Sequence, residues 1–264
     1  MVPVLAFDIE TIPDIAGVRL LNDLPDSMSD SAVAQYAFDR QREKTGSDFL
    51  PHLLHRIVAI SCAFRNGDGF HVRSLGTEHE AEAGLIQSFF RVIEKYTPQL
   101  VSWNGSGFDL PVLHYRSMIH RIAAPKYWDL GERAHEFKWN NYISRYHTRH
   151  IDLMDMLALY QPRANASLDA LAKLCGLPGK CGMDGSQVWQ SFIEGRIQAI
   201  RQYCETDVVN TYLLYCRFQL MRGHFTSETY EEEVTLVRTC TQTATRGRQL
   251  RKDGAQEAEQ RCNM

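Results

Sequence analysis

Arg56 to Leu75 reads RIVAISCAFRNGDGFHVRSL, and this stretch decides the class of fold. Arg56 to Phe64 has the composition of a strand, Asn66-Gly67-Asp68-Gly69 is a strong hairpin turn, and Phe70 to Leu75 is the returning strand. Upstream, Val2 to Ile9 is apolar throughout, the pattern of a first strand buried on both faces. Between them lies an insertion of about residues 11–55, polar and partly helical. Within it Asp30 to Lys44 predicts a helix with Ser29 or Asp30 as N-cap. Downstream, Glu78 to Tyr96 is amphipathic, with Ala81, Leu85, Phe89 and Val92 at helical spacing. Gln99 to Trp103 follows as a fourth strand, then a helix from Gly107 to His120 after a glycine-bearing turn. His150 to Asp152 is a short strand end, and three helices follow: Asp152 to Tyr160, Ser167 to Cys175, and a long one from about Gly195 to Arg222. This order predicts an α/β fold, a mixed sheet flanked by helices.

The chain has 264 residues, 44% hydrophobic and 23% charged, enough for one sizeable core. Residues 1–225 are expected to form that domain, and 226–264, polar and partly basic, to be a disordered tail. No apolar run approaches a membrane span, no signal peptide precedes the first strand, and no membrane association is expected. Seven cysteines without CxxC pairs suit a reducing interior, so a cytoplasmic location is expected. The net charge of −3 argues against tight non-specific DNA binding, which depends on many phosphate contacts. It does not argue against an enzyme that holds a few nucleotides beside bound cations.

Three places carry acids where a core is forming. Asp8 and Glu10, two apart on the first strand, project to one face. Asp109 follows Asn104 and Phe108 where the fourth strand turns into a helix. Tyr203 and Asp207, at i and i+4 on the last long helix, border its apolar stripe of Ile197, Ile200, Cys204, Val208, Thr211, Tyr215 and Phe218. Each has an ordinary explanation taken alone: a polar strand end, an acid at a helix start, a tyrosine at a core edge. Together they form a carboxylate set that a metal would neutralise.

D-x-E, N-x3-F-D and Y-x3-D, in that order, resemble the three motifs of the DEDDy class of 3′–5′ exonucleases. The wider context, FDIET, WNGSGFDLPVL and YCETDVVNTYLLY, resembles the exonuclease domain of B-family DNA polymerases. More narrowly, it is similar to the stand-alone bacterial predicted exonucleases related to that domain. The resemblance covers roughly residues 1–220 and implies a ribonuclease H-like fold; no polymerase domain follows the motifs. It further implies a nucleic-acid substrate, with single-stranded DNA favoured and RNA open. It also implies two divalent cations, Mg²⁺ or Mn²⁺, about 3.5–4 Å apart, which activate water and stabilise the leaving 3′-oxygen. By this resemblance Asp8 bridges both metals, Glu10 and Asp207 complete the site of the nucleophile metal, and Asp109 holds the second. Tyr203 orients the attacking water, since a phenol is a poor base at neutral pH. Asn104 and Phe108 contact substrate, with Phe108 available to stack on a terminal base.

Other features have plainer readings. His52-x2-His55 and His147-x2-His150 lack cysteines at zinc-ligand spacing and are expected on loops. Asp152 reads as the N-cap of the next helix, with support of the metal site as the alternative. The aromatic and basic stretch 126–149 is either a wall for single strands or a loop pinned to the core. Arg238, Arg246, Arg248, Arg251 and Lys252 make the tail basic. The competing functions are an RNA 3′-end trimming enzyme, a catalytically silent nucleic-acid-binding domain, and a small-molecule phosphodiesterase. The last would need a closed pocket that no sequence feature indicates.

Overall fold

The computed structural model describes residues 2–179 and 182–243. A five-stranded sheet is flanked by helices. Its strands are β1 (Val4–Pro13), β2 (His55–Asn66), β3 (Gly69–Ser74), β4 (Gln99–Ser102) and β5 (His150–Asp152), in spatial order β3-β2-β1-β4-β5. β1 pairs antiparallel with β2 and parallel with β4; β2–β3 is the antiparallel hairpin and β4–β5 is parallel. This is the α/β architecture expected from the sequence, a mixed sheet flanked by helices.

Alternation along β1 sorts the two cores. Leu5, Phe7 and Ile9 face one layer, where they pack with residues of α3 (Glu82–Tyr96) and α4 (Asp109–His120). Val4 and Ala6 face the other, against α6 (Leu168–Leu174) and α8 (Ile197–Met221). Even-numbered positions therefore look toward α8, and Asp8 and Glu10 continue that row.

β1 does not end at the acids, as the sequence suggested. It continues to Pro13 past a bulge between Glu10 and Thr11, because Ile12 buries in a third cluster with Val58 and Tyr203. The excursion between β1 and β2 is correspondingly shorter than 11–55. It holds α1 (Ile15–Asn22) and α2 (Asp30–Thr45), which enclose a small core of Val18, Val33, Ala37 and Leu50. Ser29 caps α2 as predicted, accepting from Ala32 N.

The tail is a second correction. Residues 227–243 are helical, here α9, and bury Tyr230, Val234 and Val237 against α8. Buried Glu233 meets Arg65 of β2 and accepts from the Tyr212 hydroxyl at 2.8 Å. The sequence looked aperiodic because this helix shows the core only a narrow seam, partly occupied by an acid. Arg238 lies on α9; Arg246, Arg248, Arg251 and Lys252 lie outside the described residues.

α5 (Leu153–Leu157) and α7 (Val188–Ile193) complete the helices that bear on the site. Among the described residues no helix is long and apolar enough to cross a membrane.

Candidate active site

Asp8 and Glu10 sit mid-strand on β1, aimed at α8, which lies across that face of the sheet. Cys204 of α8 donates its thiol to Asp8, at 3.4 Å to the carbonyl and 3.3 Å to Oδ2. Ligand-capable atoms of Asp8, Glu10 and Cys204 lie within 4.8 Å of one another. Asp109 opens α4 and reaches back to β1, where Ile9 N, between the two acids, donates to its Oδ1 at 3.1 Å. Tyr203 and Asp207 flank Cys204 on α8 and are only 4% and 5% exposed. The sequence placed them at the border of an apolar stripe. They are buried because α8 is enclosed on several sides, by the sheet, α6, α7 and α9.

The acids act on one another. Burial pushes the Asp8 carboxyl well above its ordinary value, and the charges of Asp109, Glu10 and Asp207 push it the same way. The Cys204 thiol pulls it back only in part. Asp109 is pushed up to about 7, by burial first and also by Asp152, against the hydrogen bond from Ile9 N. Tyr203 is held far above its ordinary value by burial and by Glu10, Asp207, Asp8 and Asp184, so its phenol keeps its proton. Burial, Asp8 and Glu10 likewise keep Cys204 protonated. A protonated thiol is a donor to Asp8 and no ligand for a hard cation. The oxygens of the acids are the donor set, and they suit Mg²⁺ or Mn²⁺.

The turn that delivers Asp109 is closely specified. Asn104 adopts a left-handed conformation (φ 64°), which Asn tolerates, and its carbonyl accepts from Gly107 N and Phe108 N. A Cβ on Gly105 would lie 2.5 Å from Ser102 Cβ, so only glycine fits there. Asp152 holds this turn from β5, accepting from Asn104 N at 2.9 Å and Ser106 N at 2.8 Å. It is also the N-cap of α5, as predicted, accepting from Met154 N and Asp155 N. The N-cap reading of Asp152 holds, and the same carboxylate also fixes the loop before Asp109.

Phe108, next to Asp109, is half-buried among Phe49, His52 and His55, with ring centroids at 5.4, 5.8 and 5.0 Å. The histidine pairs were expected on loops, but His55 and His150 open β2 and β5, each drawn to the sheet by a side-chain hydrogen bond to the neighbouring strand. His52 starts a 3₁₀ turn, and of the four only His147 lies on a loop. His55 lies between Thr11 Oγ1 and Leu50 O, His52 binds Gly107 O, His147 binds Asn141 N, and His150 binds Ser102 Oγ. Among the described residues, the grouping of Asp8, Glu10 and Cys204 is where metal-capable side chains cluster, and no histidine belongs to it. In the stretch 126–149, Tyr127, Phe137 and Tyr142 pin the loop to the core while Trp139 and Tyr146 stay exposed. The residues that sequence reading passed over are Cys204, assigned only to the apolar stripe, and Phe49. Neither stands in a recognisable spacing.

A buried acidic cluster, with a protonated tyrosine beside it, thus lies on one face of a mixed α/β sheet. The chain matches, over residues 47–255, the family described as "Predicted 3'-5' exonuclease related to the exonuclease domain of PolB", and it belongs to that family. The matched span contains Asp109, Tyr203 and Asp207; Asp8 and Glu10 precede it and meet it through the fold. No curated protein sequence matches the chain. Among solved structures it is similar to a product-bound exonuclease I, at 14% identity and a TM-score of 0.35, over 83% of this chain and 48% of that one. The chain spans about half the length of that protein, a likeness too distant to carry an argument. The family is one of predicted 3′–5′ exonucleases.

Proposed function

We propose that the protein is a Mg²⁺- or Mn²⁺-dependent 3′–5′ exonuclease that removes nucleotides from single-stranded or frayed DNA in the cytoplasm. What supports this is the convergence of acids from β1, α4 and α8, three segments far apart in sequence, on one buried site where their charges oppose one another. Asp8, Glu10, Asp109 and Asp207 would hold two divalent cations. Such cations, when bound, activate water and stabilise the charge that develops in an in-line displacement.

The chain's own groups do the rest. Tyr203, its phenol protonated at neutral pH, donates to the attacking water and orients it; with its pKa raised it is no base. Cys204 and Ile9 N orient Asp8 and Asp109 by hydrogen bonds. Asp152 keeps the Asn104–Asp109 turn in place. Asn104 and Phe108 border the 3′-terminal nucleotide. Water adds to phosphorus, the P–O3′ bond breaks, and the departing oxygen takes a proton as the new 3′-hydroxyl. A nucleoside 5′-monophosphate is released.

A 5′-labelled single strand incubated with Mg²⁺, Mn²⁺ or EDTA tests polarity and metal dependence together. The expected result is a ladder shortening from the 3′ end with metal and intact strand in EDTA. A large preference for a matched RNA strand would replace DNA as the substrate. Absence of nucleotide release, with Asp8→Ala binding DNA as well as the native chain, would leave a binding domain in its place.

A further inference from the structure

We propose that the segment between β1 and β2 supplies the platform on which the base of the 3′-terminal nucleotide stacks, with Phe49 as the contact face. This rests on the nucleic-acid reading of the carboxylate site.

Phe49 is 54% exposed although its ring touches three others. Phe108 lies below it at 5.4 Å, His55 at 5.0 Å and His52 at 6.4 Å. The floor is rigid. His55 is buried, and the Leu50 carbonyl requires its Nε2 to carry the proton, so Nδ1 accepts from Thr11 Oγ1 at 2.8 Å. His52 donates Nε2–H to the Gly107 carbonyl at 2.8 Å, tying the segment to the loop that ends in Asp109. Phe49 N donates to Ser47 Oγ, which fixes the approach of the chain. An apolar ring held in place yet open to solvent is what stacking on a base needs, because every base offers a π-face and little side-chain entropy is lost on contact.

The placement is what selects a nucleobase as the occupant. Phe108 is the residue before Asp109, and Thr11, which holds His55, is the residue after Glu10. The aromatic group is thus bonded directly to two of the three segments that carry the acids. A phosphodiester at the carboxylates has its base within reach of this wall. Phe108, half-buried beneath, is the buttress, and Phe49 makes the contact.

The test compares two single strands, one ending in a normal 3′ nucleotide and one ending in an abasic residue. KM and kcat are measured with Mn²⁺, and binding is followed by fluorescence anisotropy with Ca²⁺. The native chain should favour the normal end by about tenfold in KM and in binding. Phe49→Leu, which keeps the apolar bulk, should bring the two ends to equality through KM rather than kcat. Phe49→Trp should restore the preference. Equal handling of both ends by the native chain, or a preference that survives Phe49→Leu, would overturn the proposal. Base-dependent binding without any turnover would support this contact and sink the exonuclease reading, so the two fail separately.

Discussion

Helix α4 carries two buried groups of charges about two turns apart, and they are opposite in kind. At its start, Asp109 joins Asp8, Glu10 and Asp207. Further along, Arg116, 3% exposed, reaches Glu82 of α3 through Nε at 2.8 Å and Asp14 through Nη1. Glu82 also accepts from Ile57 N at 2.7 Å and meets His120. Burial works against the Arg116 charge, but hydrogen bonds to Glu82 and Asp14 more than offset it and raise its pKa. Around Asp8 the charges of Asp109, Glu10 and Asp207 each raise its pKa. Burial is similar in the two places. One group of acids was given its guanidinium by the sequence; under the proposed function, the other would take its positive charge from a cation in solution. A buried ion pair that is complete serves structure, whereas a set of acids that repel one another serves binding.

Breaking the first group should abolish function and breaking the second should abolish stability. Asp8→Asn is expected to lower nucleotide release with Mn²⁺ by about a thousandfold or more, with the fold intact by circular dichroism. Activity within tenfold of native would refute the assignment of the site. Arg116→Met leaves Glu82 and Asp14 buried without their guanidinium. It should cost about 3–5 kcal/mol in urea unfolding, the usual penalty for removing one partner of a buried pair. A loss under 1 kcal/mol would mean that the two groups are not different in kind.

That contrast was only half visible in the sequence. Asp8, Glu10, Asp109, Tyr203 and Asp207 stand at spacings that strand and helix periodicity translate into shared faces, so their convergence could be anticipated. The hairpin turn and the long α8 were readable for the same reason. Arg116, Glu82 and Asp14 belong to α4, α3 and the junction between β1 and α1, with no fixed spacing between them, and only packing brings them together. Phe49 and Cys204 were hidden likewise, one in an insertion with little periodicity, the other inside an apolar stripe where a thiol looks like any small core residue. The extension of β1 past Glu10 was obscured because two acids in a strand read as its end, although the bulge keeps the strand paired to Pro13.

Buried histidines add a third kind of group, one held neutral. His55, His114 and His150 are each lowered to about 4, chiefly by burial. Because the folded values lie below the ordinary 6.5, the unfolded chain takes up protons first as pH falls. These groups therefore cost no stability above pH 6.5 and destabilise progressively between about 6.5 and 4. Urea midpoints of the metal-free protein should fall across that window, and His114→Phe, more than one helical turn beyond Asp109 on α4, should flatten the fall. An unchanged slope in that variant would remove His114 from the account.

The smallest expected effect bears most directly on the comparison. Asp109 is raised from 3.8 to about 7, so its folded-state pKa lies above its unfolded one. Its contribution is favourable below pH 4 and is lost as pH rises through 7, which leaves the ionised carboxylate a cost at neutral pH in the metal-free protein. Asn at this position keeps an oxygen that can accept from Ile9 N while removing the charge. The substitution forfeits an acid at the start of α4, worth about 0.3–1 kcal/mol. A pKa rise of a single unit already corresponds to about 1.4 kcal/mol in the other direction. Asp109→Asn should therefore be more stable than the native chain at pH 8 without metal, by about 1 kcal/mol or more, while inactive. Adding Mn²⁺ should raise the native melting temperature more than the variant's and narrow that gap. If Asp109→Asn is instead less stable at pH 8 in the absence of metal, the acids at the start of α4 are as well compensated as those around Arg116, and the contrast between the two ends of the helix disappears.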